Sequence, residues 1–492
     1  MMKPLDRIRD YVVWGRLAEG GMADVWLARH VGLNTPVVIK TLKLAGIEGD
    51  HPRLERLFDE ARLEARIRSP RVVRVLDTGT HDGTPFLVKE YVDGLDLRVV
   101  ARGRQVALKR TLPLWYVSEV ARQTAEALEA AHRVGIIHRD VKPSNIIGLD
   151  LDFKLTDFGL AVHSMDAPHA DERGGTLRFM APEALRGEAI DKGVDIFALG
   201  ATAFQLRYGF SPFPTVASTV SSAPPRFPST TTSQEAAFQS MVGRMLAKNR
   251  AERPTDLAEP RQLFSALATT LRPPIQCVRT GDGYKLGNVV LTLHEDDIAD
   301  HRADAIVNPT NGEMKMREGV GAALVRRGGE QIETEAMEHG QQPLGACVAT
   351  GAGRLRAKHV LHAVCAWEST SCVGRAMQAT LLTAARLGAG SVAVPALGTG
   401  AAGVPFEASA LAIASAVRAH VLLGGSSIRR ISFVLADAAK LRAFREALES
   451  VLFEDAGLPP DVGLPAPPIS VEDRTQRADG STTLSPTSAA CA

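Results

Sequence analysis

Residues 138–145 read His-Arg-Asp-Val-Lys-Pro-Ser-Asn, and residues 157–159 read Asp-Phe-Gly. Transfer of a phosphoryl group requires a carboxylate that orients the attacking hydroxyl, a cation near the moving phosphate and oxygen ligands for Mg²⁺. The two stretches contain side chains of each kind, in positions that two short loops can bring together. These side chains are Asp140, Lys142, Asn145 and Asp157. The pattern therefore indicates a site for phosphoryl transfer.

The same stretches resemble the catalytic loop and the metal-binding motif of eukaryotic-like protein kinases, and the Lys-Pro-x-Asn wording is typical of their Ser/Thr branch. The resemblance extends from about residue 10 to about residue 270. It implies a bilobal fold that uses ATP and Mg²⁺ to phosphorylate Ser/Thr hydroxyls of protein substrates. In that scheme Asp140 orients the acceptor hydroxyl, and Lys142 contacts the γ-phosphate. Asn145 and Asp157 are the metal ligands.

A second landmark is the apolar run at residues 37–39, which ends in Lys40. In the kinase family, a strand of this kind carries the lysine that binds the nucleotide phosphates. The ion-pair partner of that lysine lies on the next helix, and we choose Glu60. Asp59 and Glu64 are the alternatives. We expect both to be solvated, because acidic side chains are mostly exposed.

Three further residues match structural positions of the same family. Glu183 ends the Ala-Pro-Glu motif that closes the activation segment, and we expect it to pair with Arg253. Asp195 stands at the start of a long apolar helix, and we expect it to brace the catalytic loop. These expectations concern the fold rather than the chemistry.

The nucleotide-binding loop departs from the family pattern. Residues 17–25 read Leu-Ala-Glu-Gly-Gly-Met-Ala-Asp-Val, so Ala18 and Ala23 replace two glycines of the G-x-G-x-x-G pattern. Glycine allows strained dihedral angles and a close backbone approach. An added methyl group would stiffen the loop or hold it further from the phosphates. The residues that we expect to contact the nucleotide in this loop are Leu17, Gly20, Gly21 and Val25.

A lysine also interrupts the apolar run at residues 86–92, where the family usually has an apolar residue at the back of the adenine pocket. Burial of this residue, Lys89, is costly unless it is paired or its ammonium group reaches water. Either Lys89 reaches Glu60 and competes with Lys40, or the strand is shifted. Together with the two alanines, this lysine leaves a pseudokinase, a binding protein without catalysis, as the alternative interpretation.

Length and composition indicate a protein of several globular domains. At roughly 150 residues per domain, a chain of 492 residues allows two to four. A hydrophobic fraction of 45% and a charged fraction of 23% are ordinary for globular proteins. The net charge of +1 gives no electrostatic basis for binding nucleic acid, so we expect none.

The cysteines and the apolar segments bear on location. The five cysteines show no CxxC spacing, which favours a reducing cytoplasm over a disulfide framework. No uninterrupted apolar run of about 18 residues is present, so we expect no membrane span. A cytoplasmic location is therefore the expectation. Nothing in the sequence indicates an oligomeric state.

A second pattern begins beyond residue 280. Residues 304–311 predict a buried strand that delivers two amide side chains, Asn308 and Asn311. Glycine-containing loops that lead into helices follow at residues 319–329 and 398–405, the second after another apolar strand. Backbone N–H groups at helix starts bind phosphate groups without Lys or Arg. The two loops together predict a cradle for a pyrophosphate.

Residues 280–452 resemble a macrodomain, an α/β/α module that binds ADP-ribose. The resemblance implies that Asp297 binds adenine and that Asn311 holds the distal ribose. The phosphate loops would then contain Gly319 and Val320 in the first, and Thr399, Gly400 and Gly403 in the second. Such a domain either recruits ADP-ribosylated proteins or reports free ADP-ribose to the rest of the chain.

Two residues bear on the chemistry of this domain. Gly321 stands where one hydrolase branch of the family has a catalytic Asp, so hydrolysis by the Asp mechanism is not expected. His362 lies on a predicted strand and is interpreted as structural. A de-ADP-ribosylating enzyme of another branch and a domain kept only as a scaffold are the alternatives.

The predicted organisation is a multidomain α+β and α/β protein. A bilobal kinase domain occupies residues 10–270, a short linker 271–279, and a three-layer α/β/α macrodomain 280–452. Residues 453–492 are rich in Pro, Ser and Thr and poor in large apolar residues. Such a segment cannot bury enough surface to offset its ordering entropy, so we predict a disordered tail.

Overall fold

The computed structural model describes residues 3–20, 23–43, 58–59, 61–158, 177–274, 276–367, 370–400 and 402–453. The predicted nucleotide contact Gly21, the predicted ion-pair partner Glu60 and the tail after residue 453 lie outside the described residues. The strands are β1 (Arg7–Ile8), β2 (Tyr11–Glu19), β3 (Ala23–His30), β4 (Thr35–Leu42), β5 (Val75–His81), β6 (Thr84–Glu90), β7 (Leu95–Asp96), β8 (Ile146–Leu149), β9 (Asp152–Leu155), β10 (Cys277–Thr280), β11 (Gly283–Leu286), β12 (Val289–Glu295), β13 (Ala305–Thr310), β14 (Cys347–Gly351), β15 (His359–Val364), β16 (Ala366–Trp367), β17 (Thr370–Ser371), β18 (Ser391–Val394) and β19 (Arg430–Leu435). The helices are α1 (Leu97–Leu108), α2 (Leu114–Arg133), α3 (Pro182–Leu185), α4 (Gly193–Tyr208), α5 (Val216–Val220), α6 (Ser233–Met245), α7 (Ala258–Leu271), α8 (Gly319–Gly328), α9 (Gln331–Glu338), α10 (Val373–Arg386), α11 (Phe406–Leu423) and α12 (Ala438–Phe453).

The amino-terminal lobe of the first unit is an antiparallel sheet with the strand order β1-β2-β3-β4-β6-β5. Side chains alternate between the two faces of a strand. On β4 this alternation buries Val37 and Ile39 in the core of the lobe. It turns Lys40 to the other face, where its ammonium group reaches Asp157. The strand predicted to end in a phosphate-binding lysine is therefore present and aims that lysine at the second lobe.

The second lobe is mainly helical and is built around α4. Nearly every side chain of α4 between Val194 and Leu206 is buried, as expected for a helix that is apolar on most of its surface. The predicted pair of Glu183 and Arg253 is confirmed: the guanidinium group donates to both carboxylate oxygens at 2.6 and 2.9 Å. This buried pair ties the end of the activation segment to the helical core.

The second unit is an eight-stranded sheet with the order β10-β11-β12-β19-β18-β13-β15-β14. Its five central strands, β12, β19, β18, β13 and β15, run parallel. Along β13, Ala305 and Val307 face one hydrophobic cluster, while Ile306 faces another that contains Leu324 of α8. Helices therefore cover both faces of the sheet, and the predicted three-layer α/β/α architecture is confirmed.

The second unit packs against the amino-terminal lobe through the segment before β14. The backbone N–H of Leu344 donates to the carbonyl oxygen of Arg16 on β2, at 2.9 Å. The buried side chain of Leu344 shares one hydrophobic cluster with Trp14, Leu17 and Leu27 of the first unit. That cluster continues into the sheet core of the second unit, so the two cores are joined.

The second unit also contacts the helical lobe. The carboxylate of Asp93 accepts hydrogen bonds from the backbone N–H groups of Gly374 and Arg375, at 2.7 and 2.9 Å, in the first turn of α10. Further along, Arg418 of α11 forms an ion pair with Asp150 in the turn between β8 and β9. Because contacts reach both lobes, the second unit spans the connection between them.

Within the described part of the chain, one helix, α11, is long and apolar enough to cross a membrane by length and composition. This finding differs from the prediction of no membrane span, which the sequence favours because no apolar run of that length is uninterrupted. The share of its residues buried inside the protein is 56%, and Ile413, Ala414 and Val417 belong to the core of the second unit. A core helix passes the same test, so α11 is weak evidence for a membrane span.

Candidate functional site

One carboxylate, that of Asp195, anchors the backbone of the catalytic loop. Asp195, in the first turn of α4, is fully buried. It accepts hydrogen bonds from the backbone N–H groups of His138 and Arg139 at 2.9 and 2.8 Å, and its Oδ2 lies 2.8 Å from Nε2 of His132. Arg139 has a φ of +67°, a conformation that persists only when the surroundings hold it. The predicted brace is therefore confirmed, and its function is to fix the loop before Asp140.

The structure brings two of the predicted residues, Asn145 and Lys142, to Asp140. Asn145 donates through Nδ2 to the backbone oxygen and to Oδ2 of Asp140, at 2.8 and 3.0 Å. Nζ of Lys142 lies 2.8 Å from the same Oδ2. The other oxygen, Oδ1, is buried and has no hydrogen-bond partner among the described residues. Two side chains thus fix one oxygen of Asp140, and the other oxygen has its hydrogen-bonding capacity unused among the described residues.

Asp157 lies just after β9 and has two ammonium neighbours. Its Oδ2 is 3.0 Å from Nζ of Lys40, and its Oδ1 is 3.2 Å from Nζ of Lys89. Burial alone would raise the pKa of Asp157, but Lys40 and Lys89 outweigh that effect and hold the pKa well below its ordinary value. Asp157 is therefore a carboxylate at neutral pH, as a metal ligand must be.

Lys89 is paired in a way that the sequence did not predict. Its ammonium group donates to Oε1 of Glu64 at 3.0 Å and to Oε2 at 3.4 Å. The prediction that Glu64 is solvated was wrong, because its side chain is only 3% exposed. Burial alone would lower the pKa of Lys89, but the carboxylates of Glu64 and Asp157 raise it above its ordinary value. Lys89 therefore stays charged, and it shares Asp157 with Lys40 rather than displacing it.

The alanines of the nucleotide-binding loop fit the backbone. Neither Ala18 at the end of β2 nor Ala23 at the start of β3 has a positive φ. The turn is closed by the N–H of Gly20, which donates to the carbonyl oxygen of Ala23 at 3.0 Å. The strained dihedral angles for which glycine is used are therefore not required at these two positions.

Two predicted nucleotide contacts lie close to the second unit. Leu17 is buried in the cluster that contains Leu344, and Val25 packs against the same cluster. Nζ of Lys43, the residue after β4, donates to the carbonyl oxygen of Gly20 at 3.0 Å and anchors the end of β2 as well. Strand β2, which carries Leu17, is thus in contact with the second unit. No motif in the sequence indicated this contact.

The second group of predicted residues lies at one edge of the eight-stranded sheet. Asp297 follows β12, Asn311 follows β13, and the loop that starts at Pro395 follows β18. Because these strands are parallel, their carboxyl ends meet at the same edge, which is where open α/β sheets bind ligands. Asn311 accepts a hydrogen bond from the N–H of Glu313 at 3.0 Å and is partly exposed.

The two predicted phosphate loops at this edge have backbones that only glycine adopts readily. Gly319, at the start of α8, has a φ of +54° and open space where a side chain would begin. In the loop before α11, Gly398 and Gly403 have φ values of +75° and +63°. Thr399 and Gly400 lie between them. Ala401 is not among the described residues.

The strand was predicted to deliver two amide side chains to the ligand edge. This prediction was wrong for Asn308, which is buried, whereas Asn311 is partly exposed at that edge. Asn308 is fully buried, and its Nδ2 lies 3.1 Å from Nδ1 of His362, whose Nε2 lies 2.9 Å from Oγ1 of Thr350. Burial lowers the pKa of His362 to about 4, so the imidazole is neutral, and its structural interpretation is confirmed. Asn308 lies inside β13, whereas Asn311 follows the last residue of that strand, so the two amides have different surroundings.

Comparison with known proteins agrees with the two units. The sequence model of the family described as "Protein kinase domain" matches residues 11–266, which is just over half of the chain, and that of the "Macro domain" matches residues 307–413. The fold and the site thus define a bilobal unit of the protein kinase type joined to a three-layer α/β/α unit. The chain belongs to the protein kinase family and carries a Macro domain.

Several curated relatives of the kinase part come from bacteria. The chain is 36% identical over 209 residues to the serine/threonine-protein kinase PknL of Mycobacterium tuberculosis, covering 41% of this chain and 50% of that protein. It is 34% identical over 205 residues to PknB of Mycobacterium leprae, covering 40% and 32%. The chain spans half or less of the length of these relatives. The crystal structure of the Mycobacterium tuberculosis PknI kinase domain is similar with a TM-score of 0.44 at 28% identity, covering 55% of this chain and 100% of that one.

Proposed function

We propose that this chain is an ATP- and Mg²⁺-dependent protein serine/threonine kinase whose second unit binds ADP-ribose and senses it for the kinase. The observation that supports the kinase activity is the state of Asp140. One of its oxygens is fixed by Lys142 and Asn145, while Oδ1 is buried without a partner among the described residues. An unpaired buried acceptor is costly, and an acceptor hydroxyl would satisfy it.

The residues present suit the reaction. Asp140 would accept the proton of the serine or threonine hydroxyl at Oδ1, and Lys142 would offset charge on the transferred group. Asn145 and Asp157 supply the hard oxygen donors that Mg²⁺ prefers, and such sites need only one or two protein ligands beside the phosphates. When bound, Mg²⁺ neutralises charge on the phosphates of ATP. Lys40 would bind those phosphates from the opposite lobe.

Incorporation of radiolabelled phosphate tests the kinase activity. We expect the wild type to phosphorylate itself or a general protein substrate, and Asp140→Asn to lose almost all incorporation because the amide accepts no proton. Asp282→Asn makes the same chemical change in an exposed hairpin turn of the second unit and should keep full activity. Background incorporation in all three proteins would overturn the proposal.

A pseudokinase is the second candidate, and one observation favours it. Both oxygens of Asp157 are engaged by lysines, so neither is open to a metal in this arrangement. A pseudokinase would bind an ATP analogue without Mg²⁺ dependence and would show no difference between the wild type and Asp140→Asn. Nucleotide-binding calorimetry at several Mg²⁺ concentrations therefore separates the two candidates.

Binding of ADP-ribose is proposed from the edge formed by the carboxyl ends of β12, β18 and β13. That edge combines two glycine loops before helix starts with a partly exposed Asn311 and an exposed Asp297. Calorimetry with ADP-ribose should give a saturable binding signal that Asn311→Ala weakens. Asn288→Ala, at the opposite ends of the strands, is the matched control and should bind normally. Absence of a signal from the wild type would contradict the proposal.

Binding is favoured over hydrolysis of ADP-ribose linkages. A Cβ atom at Gly321 would lie 3.0 Å from Cα of Met316 and 3.4 Å from Oδ1 of Asn308, so an Asp at this position would not fit without a backbone shift. Incubation with a mono-ADP-ribosylated protein tests the alternative. We expect the modification to persist, and its removal would make the second unit an enzyme.

Sensing is favoured over recruitment because two short routes join the two predicted sites. In the first, Gly312, next to Asn311, accepts a hydrogen bond from the N–H of Gln342 at 2.9 Å, and Leu344 two residues later bonds to Arg16 before Leu17. The segment 342–344 thus connects the loop after β13 to β2, the strand that carries Leu17. A displacement of one end of this segment would therefore displace the residues bonded to its other end.

The second route uses the start of α10. A Cβ atom at Gly398 in the second glycine loop would lie 3.3 Å from Cγ2 of Val373, so the two residues are close neighbours. The next two residues, Gly374 and Arg375, donate to Asp93, which directly follows the connection between the kinase lobes. Affinity for an ATP analogue should therefore change when ADP-ribose is present, and an unchanged affinity would reject sensing.

A further inference from the structure

Four charged side chains form a continuous line of ion pairs between the two lobes of the kinase unit. Nζ of Lys89 lies 3.0 Å from Oε1 of Glu64 and 3.2 Å from Oδ1 of Asp157. Nζ of Lys40 lies 3.0 Å from Oδ2 of the same Asp157. The two oxygens of Asp157 are therefore held by different lysines, and the sign of the charge alternates from Glu64 to Lys40.

The two lysines, Lys40 and Lys89, differ in burial and in their ion-pair partners. The side chains of Lys89 and Glu64 are 4% and 3% exposed, whereas that of Lys40 is 16% exposed. If Lys89 left its place, Glu64 would remain buried without a cation, which is strongly unfavourable. Among the described residues, Asp157 is the only ion-pair partner of Lys40. Lys40 can therefore turn to nucleotide phosphates while Lys89 stays on Asp157.

Asp157 needs to be held, because its backbone is strained. Its φ of +67° is in the left-handed region that residues other than glycine rarely adopt. The next residue, Phe158, is buried with its ring centroid 4.3 Å from that of His138, which fixes one side of the turn. Lys89 fixes the other side through the carboxylate. The carboxylate is thus oriented by a side chain that is itself almost fully buried.

We propose that Lys89 is a positioning residue for the phosphoryl transfer. It holds Oδ1 of Asp157, which would leave Oδ2 for a metal ion when Lys40 moves to the nucleotide, and Glu64 keeps Lys89 in place. This inference rests on the kinase function proposed above. It also accounts for a lysine and a glutamate at two buried positions, since each neutralises the other and together they orient the metal ligand. Neighbours that hydrogen-bond to a metal ligand tune the affinity of such sites.

The test is a double variant, Lys89→Met with Glu64→Leu. Replacement of a buried ion pair by apolar side chains of similar volume is often neutral for stability, so we expect a melting temperature near that of the wild type. Lys89→Met alone strands Glu64 and is expected to fold poorly, which makes the double variant the informative protein. Lys154→Met removes a different lysine that pairs with Glu90 in the same unit and is the matched control.

The measurement is calorimetric affinity for a non-hydrolysable ATP analogue as a function of Mg²⁺ concentration. In the double variant, we expect the Mg²⁺ concentration for half-maximal tightening to rise by about 10- to 100-fold, the usual effect of losing a partner of a metal ligand. Affinity without Mg²⁺ should be unchanged, and Lys154→Met should behave as the wild type. A folded double variant with wild-type Mg²⁺ dependence would overturn the positioning role alone. Wild-type affinity that ignores Mg²⁺ would overturn the kinase function and, with it, the role of Lys89.

Discussion

Arg418 of α11 forms an ion pair with Asp150 of the kinase unit, with Nε of the guanidinium group 2.6 Å from Oδ2 of the carboxylate. The two side chains are only 14% and 4% exposed. Burial raises the pKa of Asp150, and Arg418 opposes that rise. The guanidinium group also donates to the carbonyl oxygen of Val451 at 2.8 Å, so the pair joins the carboxyl-terminal helix of the second unit to the first.

Replacement of Arg418 by Met would leave the Asp150 carboxylate buried without its cation. Removal of one partner of a buried pair typically costs about 3–5 kcal/mol, and we expect a loss of stability of this order. The urea midpoint of unfolding measures it. Arg326→Met removes an exposed guanidinium group from the same unit and should leave the midpoint nearly unchanged. Equal midpoints for Arg418→Met and the wild type would mean that the pair does not hold the units together.

Gly15 and Leu344 are expected to be energetically coupled across the contact between the units. A Cβ atom at Gly15 would lie 2.8 Å from Cδ1 of Leu344, whose side chain is buried. Gly15→Ala should therefore destabilise the protein by about 1–3 kcal/mol through overpacking, and Leu344→Ala by about 2–5 kcal/mol through a cavity. In the Leu344→Ala background, Gly15→Ala should cost little, because the clash is gone. Strictly additive changes in thermal stability would contradict this contact.

The catalytic loop could be predicted from the sequence because its chemistry is local. Asp140, Lys142 and Asn145 lie within six consecutive positions, and their mutual contacts follow from one short loop. The same holds for Gly319, Gly398 and Gly403, whose positive φ values reflect a local requirement. A pattern of residue types is sufficient when the interacting groups are neighbours in the chain.

Contacts between distant residues could not be predicted in this way. The sequence marks Lys89 as unusual, but its partner Glu64 lies 25 positions away on another element, and only the fold shows that the two meet. Leu344 and Asp93 carry no motif at all, yet they connect the two units. The sequence around such residues does not distinguish them from surface positions. Their partners lie far away in the chain and meet them only in the folded protein.

Asp304 gives a pH-dependent prediction. Lys358, 2.9 Å away, and the backbone N–H groups of Gly390 and Ser391 lower the pKa of Asp304 from 3.8 to about 2. A lowered pKa in the folded state stabilises the fold above the unfolded pKa, and this contribution is lost as the pH falls from about 4 towards 2. Asp304→Asn should therefore be less stable than the wild type at pH 7, and the difference in urea midpoint should shrink below pH 4. A difference that does not depend on pH would show that the charge of Asp304 is not involved.

Asp93 should carry the coupling between the ligand loop and the kinase unit. Its carboxylate accepts the N–H groups of Gly374 and Arg375 and the O–H of Tyr91, the last at 3.0 Å. Asp93→Ala removes these bonds, so we expect the change in ATP-analogue affinity caused by ADP-ribose to fall towards none, while affinity for ADP-ribose itself is kept.

The control for this variant is Asp96→Ala. Asp96 caps α1 by accepting the N–H of Val99 at 3.1 Å, a contact inside the kinase unit. Loss of such a cap costs about 0.5–2 kcal/mol of stability, so this variant reports what destabilisation alone does to the coupling. Retained coupling in Asp96→Ala together with lost coupling in Asp93→Ala would support the route through α10. Retained coupling in both would leave the segment 342–344 as the connection between the two sites.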